Sequence, residues 1–302
     1  MNDIFISLMG IYVFIFLGYV AKRTFKEQID DKTITLLSVY FLQIFLTFWG
    51  LLKHPIDATL ILAPSIYLLI IIVVFLFSVF FAKKIFSDVK DVSIASVAAL
   101  IGNTGNLGIP LNIAIFGEVS IAYTTIINLV NIFVVYTLGV YIYSRGEFSV
   151  KSSLLNIAKL PILWTATLAI LLNLYGYQPS AVVDKTLQMG AYASMVMQLV
   201  LFGIYLYSVE FQKMSKKLLV WVTSIKFLLL PLLAFFILQF IDMSPMLKGI
   251  LFIELLMPLA VANVNMASLY NCKAVDVTAL VFITSLLFLG IIFIGLEIIK
   301  IF

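Results

Sequence analysis

The sequence predicts an all-α membrane protein with ten transmembrane helices arranged as two inverted five-helix repeats. Composition, a series of apolar segments and the placement of Lys and Arg predict this fold. Of the 302 residues, 63% are hydrophobic and 11% are charged, and the mean hydropathy is +1.16. Soluble globular chains carry about 25% charged residues. The composition therefore excludes a water-soluble globular protein and a disordered chain.

Apolar segments follow one another along the chain, separated by charged residues or by Gly and Pro. About 20 apolar residues span a hydrocarbon core that is about 30 Å thick. Backbone amides in lipid must be satisfied within the segment, so we expect helices and not open strands. The ten predicted spans cover residues 4–21, 33–52, 59–82, 92–116, 119–143, 154–175, 181–208, 218–240, 248–269 and 276–299.

The basic residues alternate between the two ends of these spans. Fourteen Lys and Arg residues lie in the linkers after spans 1, 3, 5, 7 and 9, four lie on the opposite side, and Lys226 lies within span 8. Cytoplasmic loops carry the excess of Lys and Arg in membrane proteins. We therefore expect a multi-pass protein of the cell membrane with both termini extracytoplasmic.

The chain divides into two halves of five spans each. The polar stretch 145–153 separates residues 1–147 from residues 148–302, and the linkers are too short for a soluble domain. An odd number of spans makes the second half enter the membrane from the opposite side. Inverted repeats of this kind are common among secondary transporters.

Span 4 contains residues that disrupt a helix. Residues 102–110 read GNTGNLGIP, with three glycines, two asparagines and Pro110. Proline removes an amide donor and glycine weakens a helix, so we expect the backbone to unwind here. Such irregular backbone is tolerated at membrane depth only beside protein or a water-filled cavity.

Span 9 carries a matching interruption, with Pro258 and Asn263 in the run ELLMPLAVANVN. Interruptions at the same ordinal position of two repeats indicate a binding site near the bilayer midplane, where helices 4 and 9 would cross. Asn103, Thr104, Asn106 and Asn263 are the candidate substrate contacts, through amide donors and exposed backbone. The alternative is that these residues only kink or pack the helices.

The two interrupted spans resemble those of the auxin efflux carrier family of bacteria and plants. The resemblance rests on GNTGNLGIPLNIAIFG at residues 102–117 and MPLAVANVNMASLYN at residues 257–271, followed by Asp276. It implies a secondary carrier whose broken fourth and ninth helices cross at the substrate site. By position, it assigns that site to Asn103, Pro110, Asn263 and the neighbouring Pro258. Bacterial members are associated with carboxylates such as malate or malonate, and plant members with auxin.

Glu254 and Lys226 are the ionisable residues farthest from the ends of the predicted spans. A charge at this depth is costly unless it faces the protein interior or has a partner. Glu254 is therefore a candidate for binding a coupling H⁺ or Na⁺, and Lys226 for compensating it or attracting an anion. The alternative is that both side chains extend to the lipid headgroups.

Three further polar residues have structural interpretations. We expect the amides of Asn128 and Asn131 in span 5 to bridge helices. Tyr143 at the end of the same span is interpreted as an anchor at the membrane interface. The single cysteine, Cys272, and the single histidine, His54, lie in linkers that face opposite sides, so no metal site, cofactor or catalytic pair is predicted.

These features predict a secondary active transporter that moves a small organic anion by alternating access, and not an enzyme. The sequence leaves open a channel, or a membrane sensor or scaffold that transports nothing. The expected partners are the anion and the lipid bilayer, without nucleic acid. A homodimer is left open, as are the substrate, the direction of transport and the coupling ion.

Overall fold

The computed structural model describes residues 2–53, 55–56, 58–144, 161–207 and 215–302. We number the helices of these ranges α1 to α12, and short π-helical turns are included in α2, α5, α6 and α9. The bounds are α1 Asn2–Phe25, α2 Asp31–Leu52, α3 Ala58–Ile85, α4 Val89–Val97, α5 Thr104–Phe116, α6 Glu118–Tyr143, α7 Pro161–Leu174, α8 Ala181–Tyr207, α9 Lys216–Phe240, α10 Pro245–Leu256, α11 Ala262–Leu269 and α12 Ala274–Ile299.

The helices follow the predicted apolar segments closely. Helices α2, α3, α6, α8, α9 and α12 are long and apolar enough to cross a membrane. Across the described ranges there is no β-strand, only one isolated antiparallel bridge between Gly102 and Leu259. The all-helical fold class is therefore confirmed. The arrangement as ten spans in two inverted repeats stays a prediction, and the repeat boundary at residues 147 and 148 lies outside the described residues.

Several helices begin where the sequence supplies a capping residue. The Asp88 carboxylate accepts hydrogen bonds from backbone N–H groups at the start of α4, and Ser215 and Ser244 do the same for α9 and α10. Such caps satisfy donors that have no partner within the helix. Pro245 then occupies the first turn of α10, where its missing N–H is tolerated.

The chain forms two compact units, each with segments from both sequence halves. Unit one comprises Met1–Ile61, Gly105–Ile126 and Ala158–Ser208, and unit two comprises Leu62–Thr104, Ile127–Ile157 and Val209–Phe302.

Close packing of α1 against α8 characterises unit one. A Cβ atom at Gly18 or Gly203 would collide with the backbone of the opposite helix, so glycine permits the approach. At another edge of this unit, the Lys53 ammonium lies 3.4 Å from the Asp184 carboxylate and 3.9 Å from that of Glu118. These polar groups join the end of α2 to the starts of α6 and α8.

In unit two, contacts near both ends of α4 hold this helix in place. The Lys273 ammonium lies 2.6 Å from the Asp91 carboxylate and 3.2 Å from that of Asp88. Trp221 Nε1 of α9 donates a 2.9 Å hydrogen bond to the Ala95 carbonyl. These contacts fix the helix that leads into the first interruption.

Candidate functional site

The first interruption follows α4 directly. The helix continues into a 3-10 turn, Ala98–Leu100, after which residues 101–103 are not helical. Helix α5 begins with a π-helical turn, Thr104–Gly108, and Pro110 lies at the start of its α-helical part. Pro110 has no N–H to donate to the π-helical turn before it, so it interrupts the regular hydrogen bonding of the helix at this point. The break therefore falls where the glycines and asparagines predict it.

The second interruption separates α10 from α11. Helix α10 ends at Leu256 and α11 begins at Ala262. Pro258 lies within this gap and disfavours a helical conformation for the residue before it. Met257 accordingly has φ −50° and ψ 139°.

The two interruptions pair with each other through their backbones. Gly102 lies opposite Leu259 in the antiparallel bridge. The Asn103 N–H donates to the Pro258 carbonyl at 2.8 Å, and the Ala260 N–H donates to the Ile101 carbonyl at 2.9 Å. Unwound backbone is thus satisfied by a second unwound segment, which removes the cost of burying it. We call the paired stretches, residues 101–103 and 257–261, the crossing.

Both polar atoms of the Asn263 side chain form hydrogen bonds at the crossing. Its Nδ2 atom lies 3.1 Å from the Ile101 carbonyl, 3.2 Å from that of Ala260 and 3.3 Å from that of Ala98. Its Oδ1 atom accepts a 2.9 Å hydrogen bond from the Tyr143 hydroxyl. The side chain is fully buried. Asn263 thus donates hydrogen bonds to the Ala98 and Ile101 carbonyls, which directly follow α4.

A second polar network holds the other side of the first break. The Thr104 hydroxyl donates to Asn128 Oδ1 at 2.9 Å and accepts from Asn131 Nδ2 at 3.0 Å. Asn131 Nδ2 also donates to the Gly102 carbonyl at 2.8 Å, and Asn131 Oδ1 accepts from the Tyr67 hydroxyl at 3.4 Å. The two asparagines of α6 therefore bridge helices, as predicted.

Asn103 differs from its neighbours. Its backbone belongs to the crossing and the residue is 2% exposed. Within the ranges that the structure describes, however, its buried Nδ2 atom has no hydrogen-bond partner. A buried donor without an acceptor costs about 1–3 kcal/mol. A ligand that accepts a hydrogen bond from this amide would therefore remove that cost.

Two opposite charges are buried in the same unit. Lys226 is 1% exposed and Glu254 is fully buried, and the two side chains interact electrostatically. A Cβ atom added to Gly102 would lie 3.2 Å from Lys226 Nζ, so the ammonium lies against the crossing. Neither charge extends to the surface, which excludes the alternative that both reach for lipid headgroups.

Sequence comparison now places this helical chain among known proteins. Residues 3–153, half of the chain, match the family model described as membrane transport protein. The chain belongs to that family. The match confirms the predicted resemblance to auxin efflux carriers. It also agrees with the prediction that the chain is not an enzyme.

One relative is similar to this transporter over most of the chain. An uncharacterized transporter of Methanocaldococcus jannaschii is 26% identical over 287 residues, which cover 91% of this chain and 92% of the relative. The similarity thus includes the segments of both interruptions.

The predicted substrate contacts of the transporter fall into two groups. Asn103, Thr104, Pro258 and Asn263 come together in unit two. Asn106 and Pro110 belong to unit one, where both are half-buried in α5. The boundary between the units falls immediately after Thr104, within the π-helical turn.

Two tyrosines contribute to the site without having been predicted there. The interpretation of Tyr143 as an interfacial anchor is wrong, because the residue is fully buried and its hydroxyl donates to Asn263. Tyr67 is 1% exposed and donates to Asn131. The spacing of Asn128 and Asn131, which places both on one helix face, was a sequence signal for this network. No comparable pattern marks the tyrosines.

Proposed function

We propose that this membrane transporter is a secondary active carrier of a small organic anion, working by alternating access in the cell membrane. Its substrate would be a carboxylate such as malate or malonate, or an auxin-like acid. The observation that carries the proposal is the buried Asn103 amide, which lies at a crossing of two broken helices without a hydrogen-bond partner among the described residues.

A carboxylate suits this amide for a simple physical reason. Its oxygens accept hydrogen bonds, and bonds to a charged acceptor contribute about 1.5–3 kcal/mol. The N-terminal ends of α5 and α11 lie at the two breaks, and the N-terminal end of a helix favours a negative charge. The buried Lys226 ammonium beside Gly102 would add positive potential, which the buried Glu254 carboxylate partly offsets. The Asn103 donor and the two helix N-terminal ends would therefore favour an anion as the substrate.

The other predicted residues would have distinct roles in this carrier. Thr104, Pro258 and Asn263 would hold the breaks open through the hydrogen bonds described above. Asn106 and Pro110 would shape the start of α5. Glu254 and Lys226 would provide the fixed charges that link anion movement to an ion. We further propose that both termini are extracytoplasmic.

Alternating access requires a site that can rearrange without unfolding. The crossing has only two backbone hydrogen bonds between its two strands of chain. Short breaks of this kind line the central sites of many secondary transporters. The low number of backbone bonds is compatible with helix halves that move while the long helices stay intact.

The test is counterflow in proteoliposomes that contain the purified full-length protein. Vesicles are preloaded with unlabelled malate, malonate or indole acetate, and uptake of the labelled compound is followed. A carrier shows transient accumulation that saturates with substrate and is abolished when preloading is omitted. A channel instead gives ion conductance without counterflow, and a sensor or scaffold gives neither. Either of those outcomes would contradict the proposal.

A further inference from the structure

An apolar groove lies within unit two, between α9, α10 and α12. Its volume is about 330 Å³, and every residue that lines it is apolar. Its walls include Leu232 of α9, Phe252 and Leu256 of α10, and Ile294 and Gly295 of α12. None of its lining residues belongs to the crossing. We call this cavity the apolar groove.

The apolar groove is open to the outside along its walls. Gly295 has no side chain, and a Cβ atom there would lie 2.6 Å from Leu256 Cδ2, so α10 and α12 are closely packed at this point. The walls, in contrast, are accessible, since Leu232 is 47% exposed and Ile294 is 62% exposed. Both residues belong to helices that are long and apolar enough to cross a membrane. Exposed apolar side chains of such helices face lipid.

The length of the apolar groove matches one leaflet of a bilayer. Its lining on α12 extends from Ile291 to Ile298, and Ile301 follows. About ten residues at 1.5 Å each give about 15 Å, which is half of a hydrocarbon core about 30 Å thick. At the Ile301 end, the Phe302 ring lies 5.8 Å from that of Phe252. The groove therefore ends beside the last turn of α12 and the first turns of α10.

Positive charge lies at this same end of the groove. Lys248 is in the first turn of α10, four residues before Phe252 and thus on the same helix face. It has no ion-pair partner among the described residues. Lys300, directly after α12, is paired with Glu297 at 2.6 Å. Asp242, in the linker before α10, is exposed, so solvent screens its charge.

We propose that the apolar groove binds one acyl chain of an anionic phospholipid, whose phosphate contacts Lys248. A phosphate is favoured both by the ammonium and by the N-terminal end of α10. Burial of the acyl chain against apolar walls is favourable, as for any apolar group. A second copy of this chain would need a broad matching face of about 1,000 Å² or more. A groove of about 330 Å³ suits one extended chain better.

The test is native mass spectrometry of the full-length protein in detergent, with the first bound lipid counted during a titration. The probes are dioleoyl phosphatidylglycerol, which is anionic, and dioleoyl phosphatidylcholine, which has the same acyl chains and no net charge. We expect the wild type to bind the anionic lipid about fivefold more tightly, the effect of one lysine near a lipid headgroup. Equal binding of the two lipids would overturn the role of Lys248.

Two variants test the two parts of the site. Lys248→Gln should weaken phosphatidylglycerol binding about fivefold and leave phosphatidylcholine binding unchanged. Lys216→Gln is its control, since Lys216 is an exposed lysine at the start of α9. Ile294→Trp fills the groove and should weaken binding of both lipids by about tenfold. Leu286→Trp is the matched control, because Leu286 is an exposed apolar residue of α12 outside the groove.

The outcomes of this test distinguish a lipid from a second copy of the chain. Equal lipid binding by Ile294→Trp and Leu286→Trp would overturn the groove as a lipid site. A dimer of the wild type that is lost in Ile294→Trp, with lipid binding unchanged, would also overturn it and would assign the groove to a protein interface.

Melting temperatures in detergent control for folding. Phosphatidylglycerol should raise the melting temperature of the wild type and of Leu286→Trp, because a ligand stabilises the state that binds it. It should raise that of Ile294→Trp less. If Ile294→Trp does not fold, the comparison of the two lipids on Lys248→Gln decides alone. These measurements involve no transported substrate, so they are independent of the proposed carrier function.

Discussion

Asn263 and Asn103 each belong to one break of the same crossing, but their side chains are used differently. Both polar atoms of the Asn263 side chain are hydrogen bonded, and they connect the crossing to Tyr143 and to carbonyls near the end of the α4 segment. The Asn103 amide nitrogen is equally buried and has no such bond among the described residues. One asparagine therefore stabilises the unwound backbone, and we propose that the other donates to the substrate.

The comparison shows that two similar interruptions need not contribute equally to a site. Asn263 offsets part of the cost of unwinding, because its amide donates to carbonyls that have no partner within the helix. The Asn103 amide is buried without a hydrogen bond among the described residues. Buried polar groups of this kind in native proteins often have a functional explanation. We therefore expect substitution of Asn263 to lower stability and substitution of Asn103 to lower transport.

The largest expected effect is the loss of stability in Asn263→Ala. The change leaves the Tyr143 hydroxyl and the Ala98 carbonyl without their present partner, and buried groups of this kind cost about 1–3 kcal/mol each. We expect the apparent melting temperature in detergent to fall by about 6 °C or more. Asn265→Ala is the control, since Asn265 is an exposed asparagine of the same helix. Equal melting temperatures of the two variants would show that the Asn263 hydrogen bonds do not stabilise the crossing.

Asn103→Ala should give the opposite pattern. We expect carboxylate counterflow to fall by about 10- to 100-fold, the loss that corresponds to one hydrogen bond to a charged acceptor. The melting temperature should stay unchanged or rise, because an unsatisfied buried donor is removed. Counterflow and melting are measured on the same preparation. Wild-type counterflow in this variant would contradict the assignment of Asn103.

Thr104→Val tests the network on the other side of the break. Valine keeps the shape of the side chain but removes the hydroxyl that joins Asn128 to Asn131. We expect a loss of about 1–2 kcal/mol in the free energy of unfolding. Thr104→Ser retains the hydroxyl and should behave like the wild type. A Thr104→Val protein as stable as Thr104→Ser would show that the network contributes little.

Gly102→Ala should have a smaller effect. The added Cβ atom would lie 3.2 Å from Lys226 Nζ, and the flexible lysine end can move away by a few tenths of an ångström. If this displacement of the Lys226 ammonium weakens its interaction with a bound anion by about 1 kcal/mol, substrate affinity would fall by about fivefold. Gly290→Ala is the matched control because no atom lies within 4 Å of its added Cβ. Weaker binding in both variants would indicate a general effect of alanine and not the contact with Lys226.

The smallest effect concerns pH at the start of α4. Hydrogen bonding from the Asp91 backbone N–H, together with Lys273, lowers the pKa of Asp88 below its ordinary value of 3.8. A lowered pKa makes Asp88 stabilising above pH 3.8, and that contribution is lost as the pH falls through its folded pKa. Because the carboxylate is half-exposed, we expect less than about 1 kcal/mol. Melting temperatures of the wild type and Asp88→Asn should therefore converge at low pH, and a constant difference would contradict this assignment.

The sequence predicted the helices and both interruptions because these depend on local patterns. Apolar length defines the helices, and the glycines and prolines near Gly102, Pro110 and Pro258 define where they break. The distance of Lys226 and Glu254 from the ends of the apolar segments indicated candidate buried charges, but it left open that both side chains extend to the headgroups. Local patterns of this kind require no knowledge of which helices are neighbours.

The division of roles within the site could not be predicted in this way. Whether Asn103 or Asn263 has a free donor depends on Tyr143 and on carbonyls contributed by other helices. The position of the Lys226 ammonium beside Gly102 likewise depends on how α9 packs against the crossing. Such contacts join residues far apart in sequence, so the pattern of one segment cannot reveal them.

The most direct test of the central claim is an experimental density map of the full-length protein with bound malonate. We expect a carboxylate oxygen within about 2.7–3.2 Å of Asn103 Nδ2, the range of a hydrogen bond, with both helices broken at the crossing. A continuous helix through residues 92–116 or through residues 248–269 would contradict the account. A carboxylate bound elsewhere, with the Asn103 amide paired to the protein, would also contradict it.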